Sequence, residues 1–149
     1  MLLLRLHKSV LVCLSIVYSN LVFAQEHDPI VRKWMVDDKS AKIEIYKGED
    51  DKYYGKVVWL RKPTVDGKQK IDIHNPVECK RNRPLMGMVV LTGFIKTDDG
   101  LYEKGAIYDP KTGNTYNCKM ILEGDSLFVR GFVGISIIGK STVWTKAAD

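Results

Sequence analysis

From residue 33 onward the chain alternates apolar and polar side chains, in runs separated by Gly, Pro, Asp and Asn. A period of two marks a strand with one buried face, and this stretch carries almost no 3.6-residue helical period. The run "AKIEIYK" (41–47) is the plainest case, with Ile43 and Ile45 on one face and Lys42 and Glu44 on the other. The run "NTYNCKMIL" (114–122) repeats it, setting Tyr116, Cys118, Met120 and Leu122 against Asn117 and Lys119. The same reading gives strands over 33–37, 52–61, 87–96, 101–108, 126–133 and 140–146, eight in all.

Most of the connections are too short for anything but hairpins. "GEDD", "TDDG" and "EGD" are tight acidic turns, and "DPKTG" carries Pro and Gly at the positions a turn demands. Eight antiparallel strands joined this way predict an all-β up-and-down barrel, whose closure removes exposed edges. A two-sheet sandwich would need long crossings at several places, and only the link between strands three and four is long. Successive connections of an up-and-down barrel alternate between its ends. The three acidic turns therefore share a plain end, and "DDKS", residues 62–86, "DPKTG" and "GISIIG" share a decorated one. Residues 62–86 are expected to form a rim or lid over that mouth. Gly55, Gly93, Gly105 and Gly131 fall inside strands, where they permit sharp coiling.

The first residues read differently. Arg5, His7 and Lys8 precede the apolar "SVLVCLSIVYSNLVF", and Val22 and Ala24 hold the small-residue positions before a cleavage point. This is the pattern of a secretory signal peptide over residues 1–24, leaving 25–149 as a single exported domain, periplasmic or secreted. The apolar run falls short of the ~20 residues that span a bilayer, and no later run is long enough. Losing Arg5 and Lys8 takes the 23 basic residues to 21 against 18 acidic ones, a mild net charge near +3. That does not point to nucleic acid. Cys13 leaves with the signal. Cys79 and Cys118 remain, a pair that an oxidising compartment allows to bridge, although strand parity turns Cys118 inward.

Candidate chemistry concentrates in "DIHNPVECKRNRPLMG" (72–87). Asp72, His74 and Cys79 match no standard metal spacing, and no third group orients a Cys79–His74 nucleophile pair. No cofactor motif is present. The segment "KRNR" (80–83) reads as a solvated cationic face or as an anion anchor, with Arg81 or Arg83 making bidentate contact. Tyr108 and Tyr116 flank "DPKTG" and either line the mouth or pack the rim. Arg130 shares strand parity with Phe128 and Phe132, so its stem covers apolar surface or pairs with a buried acid.

Trp34 and the pair Trp144 and Lys146 resemble the two ends of lipocalin-like barrels, in which a basic side chain covers the first-strand Trp at the closed end; Arg32 stands where such barrels carry Gly. "DIHNPVECKRNRPLMG", "GAIYDPKTGNTY" and "LFVRGFVGISIIG", in this order, resemble domain-of-unknown-function family 2147, small exported bacterial proteins. The resemblance implies a lipocalin-like barrel and an exported compartment, and carries no biochemical activity with it. The expectation is non-catalytic binding of a small, partly apolar molecule, with an anionic head as one option. Val57, Trp59, Leu91, Tyr116, Met120 and Val129 are the interior candidates, Arg81, Arg83 and Tyr108 the rim, with Arg130 beside them. The alternative is an envelope protein acting through its surface, its core filled by its own side chains.

Overall fold

The computed structural model describes residues 28–135 and 137–148, so the signal-peptide reading of residues 1–24 lies outside the described residues. The strands are β1 (Lys33–Met35), β2 (Ala41–Lys47), β3 (Tyr53–Leu60), β4 (Thr64–Val65), β5 (Lys68–Gln69), β6 (Val89–Asp98), β7 (Leu101–Asp109), β8 (Asn114–Glu123), β9 (Ser126–Phe132) and β10 (Gly139–Lys146). One short 3-10 turn spans Glu78–Lys80. Eight of the strands close into an antiparallel barrel in the order β1-β10-β9-β8-β7-β6-β3-β2, with β4 and β5 a separate hairpin. The first and last strands meet at Trp34 opposite Lys146 and Met35 opposite Thr145. The up-and-down barrel expected from the alternation is the fold observed. Among the described residues no helix is long and apolar enough to cross a membrane.

The plain end is packed solid. Trp34, Tyr53, Phe94, Tyr102, Met120 and Leu127 are all buried there or just above. Gly105 makes the packing feasible, since a Cβ at that position would collide with the Phe94 ring. The residues ahead of β1 complete the plug. The Trp34 indole N–H donates to the Ile30 carbonyl at 2.9 Å. The Tyr53 and Tyr102 hydroxyls both donate to the Asp28 carboxylate, the first at 2.6 Å, and Lys96 Nζ lies 3.4 Å from it. Arg32, not Lys146, is the cation over the Trp34 ring, 5.7 Å from its centroid. Arg32 and Lys146 instead share Asp125 in the β8–β9 turn, at 3.2 and 3.8 Å.

A bulge corrects one parity assignment. Ile43 pairs with Val57, but Lys42 pairs with Trp59, so β3 carries one residue more than β2. The extra residue turns Leu60 inward beside Ala41 and sets Trp59 outward, exposed beside Lys42. Trp59, expected inside the barrel, lies on its outer wall.

Candidate functional site

The segment between β3 and β6 divides into two parts. Its first part is the β4–β5 hairpin, turned by Asp66 and Gly67 at φ 49° and 75°, the left-handed pair a two-residue hairpin turn requires. Its second part doubles back on itself. The Asp72 N–H donates to the Arg83 carbonyl and the Leu85 N–H to the Lys70 carbonyl, so residues 70–72 and 83–85 run side by side.

Asp72 pins this second part to the outside of the barrel. It is fully buried. One carboxylate oxygen accepts the Tyr108 hydroxyl at 2.7 Å and the other the Asn75 amide at 2.6 Å. Burial, then the Asp72 bond, pushes the Tyr108 phenol up to about 12, so it stays a donor at neutral pH. The Asn75 side-chain oxygen accepts the Val77 N–H at 2.9 Å, and Arg81 Nε donates to the Asn75 carbonyl at 2.9 Å. Gly113 in the β7–β8 turn, at φ 74°, lies so close to the His74 carbonyl that a Cβ would strike it. Tyr108 is therefore an anchor of the loop, reached from outside.

Beside this pinned part a cavity of about 700 Å³ opens at the mouth, with Ile71, Ile73 and Leu85 in its wall. Ala41, Ile43, Val57, Leu60, Ile107 and Trp144 give it an apolar floor, and the β4–β5 hairpin contributes Val65, Lys68 and Gln69 from above. His74, Lys70 and Lys140 stand on its rim. Lys111 of the β7–β8 turn reaches Asp38 of the β1–β2 turn at 2.7 Å, a clasp at the rim. That bond, with Ser40, holds Asp38 well below the usual carboxylate range. Lys68, Lys70 and Lys140 make no ion pair among the described residues. A second recess of about 670 Å³ lies on the outer wall, between Val77, Met86, Met88 and Val89, with Lys80, Arg83 and Tyr108 at its edges.

The residues singled out in the sequence thus scatter. Val57 lines the mouth cavity. Leu91, Met120 and Val129 are buried in the core, and Tyr116 is half-buried. Arg81 is tied to Asn75, and Arg83 borders the outer recess. Arg130 points away from the interior, donating to Ser141 Oγ and the Ile137 carbonyl, both at 2.9 Å. Cys79 is exposed, Cys118 is buried, and both are free thiols, so the bridge is not formed. Burial pushes the Cys118 thiol up to about 12, which leaves it a poor nucleophile. The rim lysines form no local motif: Lys68 and Lys70 flank Gln69, and Lys140 lies seventy residues on. The hairpin had a signal, the Asp66-Gly67 pair between "TV" and "KQ".

Residues 33–146 match a family described as uncharacterized proteins conserved in bacteria. The chain belongs to domain-of-unknown-function family 2147. Among solved structures, this family 2147 chain is similar to protein HP1028 from the human pathogen Helicobacter pylori, which is described as belonging to the lipocalin family. The likeness has a TM-score of 0.71 at 24% identity and covers 80% of this chain and 84% of that one. It establishes the lipocalin-like fold. No curated protein matches the family 2147 chain.

Proposed function

We propose that this protein is an exported, non-catalytic binding protein for a small, partly apolar molecule bearing an anionic group. The observation that carries the reading is the mouth cavity: about 700 Å³ over an apolar floor, where Lys111 pairs with Asp38 while Lys68, Lys70 and Lys140 make no ion pair among the described residues, with Asp37 and Asp109 also in the lining. That volume lies within the ~300–1,000 Å³ of small-molecule sites, and apolar walls with a few placed polar groups are their usual lining. Lys68, Lys70 and Lys140 take the anchoring role that the sequence assigned to Arg81 and Arg83, because they border the cavity and the arginines do not. The signal-like pattern of residues 1–24 supports export.

The test is titration with a fluorescent fatty acid. Saturable binding at one probe per chain is expected. Lys68→Ala/Lys140→Ala should weaken it at least tenfold, since a charge-assisted contact is worth ~1.5–3 kcal/mol, while Arg81→Ala/Arg83→Ala should leave it nearly unchanged. Absence of saturable binding would sink the proposal. It would favour the second reading, a protein acting through its surface, which the filled lower half of the barrel supports.

A further inference from the structure

The β9–β10 connection presents Val133, Ile135, Ile137 and Ile138 to solvent at 66%, 63%, 81% and 66% exposure. Four branched aliphatic side chains exposed on one surface loop are an unusual expense for a water-facing protein. Part of the loop's described backbone is paired. The Val133 N–H donates to the Ile138 carbonyl and the Ile138 N–H to the Ile135 carbonyl, both at 3.2 Å. The Ile137 carbonyl accepts Arg130 Nη2 at 2.9 Å. Each paired group lowers the cost of taking the loop from water into a lipid interface.

Charge separates along the barrel axis. The three turns of the plain end hold Glu49, Asp50, Asp51, Asp98, Asp99, Glu123 and Asp125, offset in part by Arg32, Lys47, Lys52, Lys96 and Lys146, which pair with them from the flanking residues. Residues 61–88, at the loop's end of the barrel, hold seven Lys and Arg against three acids. Lys140 follows the apolar loop directly and borders the cavity.

We infer that the protein docks mouth-first on an anionic lipid surface, with the β9–β10 loop in the interface and the surrounding lysines and arginines over the headgroups. Apolar insertion and electrostatic attraction together give the reversible binding that either alone leaves marginal. Charge complementarity selects this occupant. A second copy docked mouth to mouth would oppose two cationic segments. Docked mouth to tail it would offer the loop ion-paired polar turns, which carry no exposed large apolar side chain among the described residues. The docking goes beyond the ligand reading and does not depend on it.

The experiment is flotation of the full chain with vesicles of phosphatidylcholine alone or mixed with phosphatidylglycerol, comparing wild type with Ile135→Asp/Ile137→Asp. Both proteins carry the apolar stretch 9–23, so the ratio between them isolates the loop. Wild type should favour the anionic vesicles and release as salt rises. The variant should lose at least tenfold in affinity while keeping its thermal midpoint and its fatty-acid binding, which separates this inference from the ligand proposal. Equal vesicle binding by a folded variant overturns the inference. So does equal wild-type binding to both vesicle types, absence of wild-type binding, or a wild-type dimer that the variant breaks.

Discussion

Asp28 is the residue on which the closed end converges. Burial alone would raise its carboxyl. Hydrogen bonds from Tyr102, Tyr53 and the Ile30 N–H, with the charge of Lys96, outweigh burial and hold it below its ordinary value. Burial and then this carboxylate push both phenols far above their usual range, so they remain donors. The sign of the linkage follows. A carboxyl depressed in the folded state stabilises the fold above its unfolded value, ~3.9, and that contribution is lost as pH falls through the folded value. Asp28→Asn should therefore lower the thermal midpoint at pH 7, and the gap to wild type should narrow as pH drops below about 4. A gap constant from pH 7 to pH 3 would show that the carboxylate is not held as described.

Between β3 and β6, one buried carboxylate decides how a long connection is used. Asp72 fixes residues 72–84 to Tyr108 on the outer face of β7, which leaves only Ile73 and His74 of that stretch at the edge of the mouth cavity. Removing the phenolic hydroxyl leaves one buried oxygen of Asp72 short of a donor, a penalty of ~1–3 kcal/mol. Tyr108→Phe should speed amide hydrogen exchange in residues 72–84 far more than in β8 or β9, because the loop can release while the barrel stays closed. Uniform acceleration across the chain would mean that the bond supports the whole fold. Asp72 was legible only as a loop carboxylate flanking a turn. Its partner lies 36 residues away and faces outward, a pairing no local pattern signals.

At the scale of the whole molecule, closure rests on three-residue β1 pairing with β10, and Trp34 is its centre. Fully buried, its indole hydrogen-bonded to Ile30 and covered by Arg32, it joins the leading segment to the barrel floor. Trp34→Ala should cost ~3–5 kcal/mol, the range of large core truncations, and shift the urea midpoint identically in fluorescence and circular dichroism. An unchanged midpoint would contradict this placement of the first strand.

Alternation and turn chemistry alone determined the eight strands, their up-and-down order and the assignment of long loops to one end. A period-two pattern states which face is buried, and hairpin turns state which strands are neighbours. The register within the barrel was decided by tertiary structure. One extra residue in β3 moved Trp59 from inside to outside, because a bulge changes facing without changing the pattern on either side. The cavity was likewise decided in three dimensions. Its floor and its lysines come from strands and turns far apart in the chain, brought together only when β1 meets β10 and the long loop packs onto Tyr108.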